Sequence, residues 1–350
     1  MLLPSPLPPY QVGRPQRPPI SQTKKGNLMS VASRLDPEFR EVIAALPGYG
    51  FDWASVSIDQ IAEARARLRV LRPPLDPALI ESEVRDISVP GPAGASDVVL
   101  RIYRPKAGGN DLPCIYWVHG GGYMFGSAMD PDARLDRWVN EIGCVAVSVE
   151  YRLAPETPFP GPLDDVYAGL QWVAKNPSEL GIDASKLAIG GGSAGGGLAA
   201  GLALVVRDRG EIPVIFQLLI YPMIDDRFVT VSSTMDTIGW TTAASRLGWS
   251  CYLGVTPGSD GVSPYAAPTR AEDLSGLPPV FICVGDLDNF RDEDIEYARR
   301  LSDVGIPTEL HVYPGVPHAF ENSAPEIAIS TRFSRDITDA LRTAFFRAGS

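Results

Sequence analysis

Cysteine is scarce in this chain: four residues in 350, Cys114, Cys144, Cys251 and Cys283, with no two in a C-x-x-C spacing. That excludes a disulfide framework and a thiolate zinc site. The apolar runs around three of them mark buried small hydrophobes in a reducing, cytoplasmic setting. Long apolar runs are missing as well, since nothing approaches the roughly 18 residues of a membrane span. Cations are outnumbered, 31 Lys and Arg against 42 Asp and Glu, and the net charge of -11 repels phosphate backbones and anionic lipid. Nucleic acid and membrane surfaces are therefore excluded as partners. Histidine is the rarest functional residue, with only His119, His311 and His318. Any chemistry that needs an imidazole has three candidates.

What is present is enough for a large core: 45% of residues are hydrophobic and 21% charged, the balance of a folded globular protein. Residues 1–28 stand apart. Pro4, Pro6, Pro8, Pro9, Pro15, Pro18 and Pro19 deny them both a helix and the apolar centre of a signal peptide. A disordered Pro-rich segment is expected there, with Met29 as a second candidate start.

From residue 84 onward, short β-rich runs alternate with helical patterns. Candidate strands fall at 84–89 and 98–103, an antiparallel pair across the turn signal Pro90-Gly91-Pro92, and then at 114–118, 144–149, 187–189, 214–220, 280–284 and 309–312. Between them Leu163, Val166, Leu170 and Val173 share a helical face, as do Leu198, Leu202 and Val205 before Gly210, and Tyr297, Leu301 and Val304 before Gly305. This alternation predicts an α/β domain over 81–350 with an eight-stranded, mostly parallel sheet flanked by helices. Ser323 with Glu326 reads as a capping box for a last helix carrying Ile329, Phe333, Ile337, Leu341 and Phe345. Two stretches break the alternation. Residues 29–80, with a helix around 58–71, and residues 225–275, rich in Thr, Ser, Trp and Tyr, are expected to form a helical cap over the carboxyl ends of the strands, where open sheets bind ligands.

The strongest local signal is Gly191-Gly192-Ser193-Ala194-Gly195, placed after a strand and before a helix. A nucleophile on so sharp a turn is forced outward, small neighbours relieve the backbone, and the helix amino terminus faces any developing oxyanion. The same glycines, Gly190, Gly192 and Gly195, also spell G-x-G-x-x-G, a dinucleotide fingerprint. Against that reading, the motif lies in mid-chain and the next strand ends in no evident ribose-binding acid. His119-Gly120-Gly121-Gly122 after the 114–118 strand favours the nucleophile elbow, because it matches the glycine loop that donates backbone amides to an oxyanion.

A serine nucleophile needs a base. His119 belongs to the glycine loop and His311 lies within a strand, whereas His318 follows the last strand behind Pro314, Gly315 and Pro317. The orienting acid belongs on the loop after the preceding strand, where both Asp286 and Asp288 stand, with Asp288 favoured. The acidic run 286–293 also suggests a calcium loop, but Phe290 and Arg291 occupy positions where such a loop needs a ligand and a glycine. No metal site and no cofactor are expected.

Together these residues resemble the hormone-sensitive-lipase family of bacterial esterases, from about residue 84 to the end. The likeness rests on His119 to Gly122, on Tyr151-Arg-Leu-Ala-Pro-Glu156 with Pro158-Phe-Pro160 and Asp164-Asp165, on Ser193-Ala-Gly-Gly196, on Tyr221-Pro222 and on His318-Ala-Phe320. The family's acid motif corresponds to Asp288-Asn289-Phe290-Arg291-Asp292-Glu293 and selects Asp288. What the resemblance implies is an α/β-hydrolase fold, with Ser193, Asp288 and His318 catalytic and the amides of Gly121, Gly122 and Ala194 as oxyanion hole. It further implies hydrolysis of small carboxylic esters with short acyl chains, without a cofactor, and a homodimer as an expected assembly. Two positions depart from the family: Gly192 stands where common subgroups carry Asp or Thr, and Asn289-Phe290 replaces Pro-Leu. Two rival readings stand against this: a ligand receptor on the same fold, which usually loses the base, and a nicotinamide oxidoreductase built on the glycine fingerprint. Phe51, Trp53, Trp240 and Trp249 are candidates for pocket lining or for cap packing alike.

Overall fold

The computed structural model describes residues 31–46, 56–71 and 75–346. The Pro-rich segment 1–28 and the candidates Phe51 and Trp53 lie outside them. Eight strands follow one another as β1 Glu83–Val89, β2 Val98–Arg104, β3 Leu112–Val118, β4 Val145–Glu150, β5 Ile182–Gly192, β6 Phe216–Ile220, β7 Val280–Gly285 and β8 Thr308–Tyr313. They form one sheet in the order β1-β2-β4-β3-β5-β6-β7-β8. β2 runs antiparallel to both neighbours, and every later pairing is parallel.

Helices among the described residues are α1 Val31–Arg34, α2 Pro37–Ala45, α3 Ile61–Leu71, α4 Asp132–Ile142, α5 Gly161–Lys175, α6 Pro177–Leu180, α7 Ala194–Arg209, α8 Thr242–Leu253, α9 Arg291–Asp303, α10 Phe320–Ser323 and α11 Ala328–Phe346. The inner strands are buried on both faces, which is why β3, β4 and β7 read as continuous apolar runs rather than alternating ones. One face packs Leu163 and Val166 of α5, Leu198 and Leu202 of α7 and Leu301 of α9. The other packs Leu135 and Trp138 of α4 and Phe333 and Ile337 of α11, with Phe39 of α2. Each such side chain contributes about 1.5–3 kcal/mol by leaving water.

Two sequence expectations need correction. The last helix does not start at a Ser323 and Glu326 capping box. Ser323 ends α10, α11 begins at Ala328, and the Ala328 amide donates to a carboxylate oxygen of Glu38 at 2.8 Å. A distant side chain supplies the cap that a local one was expected to give. β5 also begins at Ile182, five residues before the expected 187, because Ile182 pairs with Leu112 across a register shift in a stretch of polar residues.

Strand order places the site. β4 and β3 were laid down on one side, β5 on the other, so the loops leaving the carboxyl ends of adjacent β3 and β5 open into one crevice, the switch point of the sheet.

Candidate active site

β5 ends in three glycines and α7 starts at Ala194, leaving Ser193 at φ 58° and ψ -125°. A side chain in that conformation is strained by about 1–3 kcal/mol and persists only where the surroundings over-determine it. Here they do. The Ser193 amide donates to the Ile220 carbonyl at 2.9 Å, while its own carbonyl accepts from Gly197 at 3.0 Å and Met223 at 2.9 Å. Two of the flanking glycines are required by space: a Cβ on Gly195 would lie 2.1 Å from the Val118 carbonyl oxygen, and one on Gly191 would lie 2.2 Å from that of Gly195.

His318 reaches this turn from the loop after β8. Its Nε2 lies 2.9 Å from Ser193 Oγ and its Nδ1 lies 2.7 Å from Asp288 Oδ2. Asp288 is wholly buried, and its Oδ1 accepts from the Phe290 amide at 3.0 Å, so the carboxylate is fixed at both oxygens. Asp286, the rival acid, is engaged elsewhere: its carboxylate accepts from the Gly315 amide at 2.6 Å and from Arg34 at 3.0 Å. His311 pairs with Glu309 at 2.9 Å within β8.

The glycine loop lies across the elbow. Gly121 and Gly122 both take positive φ, 119° and 60°, and the Ala194 amide, at the first turn of α7, has no intrahelical acceptor. Conserving this loop's shape is the work of the Tyr151 motif. The Tyr151 ring stacks on His119 with centroids 4.2 Å apart, and its hydroxyl donates to the His119 carbonyl at 2.9 Å. Arg152 is held by a bidentate pair with buried Asp165, at 2.7 Å for each bond. Burial lowers the pKa of His119.

The two irregular stretches meet the loop directly. Arg65 of α3 donates to the carbonyls of Met124 and Ala154 and pairs with Glu156 at 2.7 Å. Helix α8, which the sequence reading did not resolve, begins at a Thr241 cap and touches the loop through Gly248, where a Cβ would lie 2.8 Å from the Gly122 carbonyl oxygen. Trp240 and Trp249 part company here. Trp249 is buried among Tyr123 and Tyr252. The Trp240 indole abuts Gly122, sits 6.3 Å from the His318 ring, and is pinned by a hydrogen bond from Nε1 to Ser245 at 2.9 Å.

Several neighbours of His318 carried no functional assignment in the sequence. Tyr221 packs edge-to-face on its ring at 4.6 Å and Phe290 at 5.1 Å. Behind them, Glu321 accepts from both the Tyr221 hydroxyl and Arg134. Tyr221-Pro222 after a strand was a visible signal for the first; Arg134 lies on α4, far off in the chain, and had none. Beyond Asp288, burial pushes the carboxyls of Glu293 and Asp294 well above the usual range.

Comparison with known proteins gives the family and the fold. A family described as alpha/beta hydrolase fold matches residues 115–322. Esterase LipI of Mycobacterium tuberculosis is 34% identical over 313 residues, covering 88% of this chain and 94% of that protein. Carboxylesterase NlhH of the same organism is 37% identical over 278 residues, covering 76% and 84%. Among solved structures, a bacterial heroin esterase superposes with a TM-score of 0.84 at 40% identity, covering 90% of this chain and 99% of that one. No helix among the described residues is long and apolar enough to cross a membrane. The chain belongs to the α/β-hydrolase family, in its hormone-sensitive-lipase-like branch, and is a carboxylic ester hydrolase.

Proposed function

We propose that the chain hydrolyses small, short-acyl-chain carboxylic esters through an acyl-enzyme on Ser193. The observation that carries this is the unbroken hydrogen-bond line from Ser193 through His318 to buried Asp288, at 2.9 and 2.7 Å. Ser193 Oγ bonds to the ester carbonyl carbon while His318 Nε2 takes its proton. Asp288 accepts from Nδ1–H, which fixes the tautomer and stabilises the imidazolium. The carbonyl oxygen becomes negative beside the amides of Gly121, Gly122 and Ala194. As the tetrahedral intermediate collapses, the carbon–alkoxy bond breaks and the imidazolium returns its proton to the departing alcohol. Water then attacks the acyl-enzyme by the same path, restoring Ser193.

Residues 29–80 and 225–275 act as the cap of the 81–350 catalytic domain, a reading supported by Arg65 on the Met124 carbonyl and by the close approach of α8 at Gly248. The short-chain preference is supported by the Trp240 indole against Gly122, which narrows the space beside the oxyanion amides. Edge strand β8 supports a homodimer, and four buried free thiols support a cytoplasmic location.

The test is a panel of activated esters of rising acyl length, with amide and lactone controls, on wild type and Ser193→Ala. The expected result is ester hydrolysis that falls with chain length and drops by about a thousandfold or more in the variant. Undiminished hydrolysis in Ser193→Ala would refute the acyl-enzyme.

A further inference from the structure

A base that is to reach both Ser193 and a departing alkoxide must be held laterally as well as along its hydrogen-bonded axis. Asp288 fixes Nδ1 of His318, but a single hydrogen bond leaves the ring free to swing about that contact, and His318 rides on a loop. Beside Phe290, which packs edge-to-face at 5.1 Å, the nearer lateral contact at 4.6 Å comes from Tyr221. This residue follows β6 directly and sits at φ 36°, a left-handed conformation rare for a ring-bearing side chain. Its amide donates to the Cys283 carbonyl at 2.6 Å, locking the turn to β7. The conformation drives the ring between the elbow and the base: the ring lies 3.6 Å from where a Cβ on Gly192 would be and 4.6 Å from the His318 centroid.

The far end of that ring is tied down. The Tyr221 hydroxyl donates to Glu321 Oε1, which also accepts from Arg134 Nη2 at 2.7 Å, and all three side chains are largely buried. Glu321 stands three residues after His318 on α10, so the tie joins the turn after β6 to the segment that carries the base. Arg134 arrives from α4 and lies 5.7 Å over the Trp117 ring, bringing a third element into the anchor. Phe333 stacks on the other side of Tyr221 at 6.2 Å and closes the cage. A buried carboxylate with a guanidinium and a phenol as partners is expensive to place for structure alone, since apolar packing of the same volume is often as stable. Its position two steps from the base gives it a use.

We propose that Tyr221, anchored through Glu321 to Arg134, is a positioning residue for His318 that holds the imidazole in line with Ser193 Oγ. It touches neither substrate nor a reacting atom and acts through the base. The inference rests on the Ser193 reading, so wild type and Ser193→Ala are measured first; loss of that contrast sinks the parent reading, whatever happens at 221.

The deciding variants are Tyr221→Leu, which removes the ring, and Tyr221→Phe, which keeps the ring and loses its anchor. Hydrolysis of a short activated ester is measured as kcat and KM per folded protein, with the folded fraction taken from circular dichroism. Small misplacement of a catalytic group is costly, so Tyr221→Leu is expected to lose about tenfold or more in kcat with KM within about twofold, and Tyr221→Phe, which keeps the ring but not its anchor, to lose about threefold in kcat with KM unchanged. A purely structural tyrosine would lower the melting temperature and leave kcat per folded protein unchanged. Wild-type kcat in folded Tyr221→Leu overturns the proposal. Should that variant fail to fold, Tyr221→Phe decides, and an unchanged kcat there overturns it.

Discussion

Glycines at the elbow serve for different reasons, and the difference can be measured residue by residue. At Gly195 an added methyl would press on the Val118 and His119 carbonyl oxygens at 2.1 and 2.3 Å, whereas at Gly192 its nearest neighbours are the rings of Tyr221 and Trp117 at 3.6 and 3.8 Å. Gly195→Ala is therefore expected to separate β3 from α7 and abolish both activity and soluble yield, while Gly192→Ala folds and remains active. Equal behaviour of the two in a melting and activity comparison would contradict this account. The departure from the family at Gly192 thus leaves space rather than removing a needed contact. Asp294 makes a second case. It is fully buried, neither carboxylate oxygen has a hydrogen-bond partner among the described residues, and burial, then Asp288 and Glu293, push its pKa up. The folded state thus holds this proton more tightly than the unfolded chain. That contribution is complete below the ordinary aspartate value of about 3.9 and is eroded as pH rises towards the folded-state value. Asparagine does not titrate, so the melting temperature of Asp294→Asn is expected to gain on wild type between pH 5 and pH 8. A pH-independent difference would show that Asp294 is not buried as a neutral acid.

Elements whose apolar spacing repeats were legible in the sequence, and those fixed by partners far off in the chain were not. All eight strands and the helices α5, α7 and α9 stood out because Val, Ile and Leu recur at the right period. Helix α4 was missed although Leu135, Trp138, Val139 and Ile142 are its buried face, and α8 was hidden by its Thr, Ser and Trp content. The extra length of β5 has no apolar signature because Asp183, Ser185 and Lys186 lie in the irregular stretch between the pairs Ile182–Leu112 and Leu187–Cys114 and are not buried. The site divides the same way. Ser193, His318 and Asp288 sit at loop positions that follow recognisable strands, the family motif independently selects Asp288 over Asp286, and Glu321 and Arg134 come only with tertiary contact. The start of α11 tests this view of helix ends. Glu38→Ala is expected to cost about 0.5–1 kcal/mol by removing the acceptor of the Ala328 amide. Ser323→Ala, at the position a local reading would choose, is expected to change urea-unfolding stability by no more than a few tenths of that scale. The reverse ranking would restore the local capping box.

For the molecule as a whole, burial keeps every cysteine thiol away from solvent and from the crevice that holds Ser193. All four cysteines are free and buried. Burial pushes the Cys144 thiol up to about 12 and that of Cys251 to about 11, and holds Cys114 and Cys283 well above their ordinary value. Since the thiolate is the reacting form, a disulfide reagent is expected to titrate none of the four in the native protein and all four after unfolding, with thiol exposure following global unfolding. Rapid labelling of a native thiol would place a cysteine outside the core. The central claim, that one serine carries the acyl group, is tested most directly by reacting the intact protein with an organophosphonate and mapping the adduct by mass spectrometry. One adduct per chain on the peptide holding Ser193, formed in step with loss of ester hydrolysis, is the predicted result; an adduct elsewhere, or hydrolysis that survives full labelling of Ser193, would contradict it.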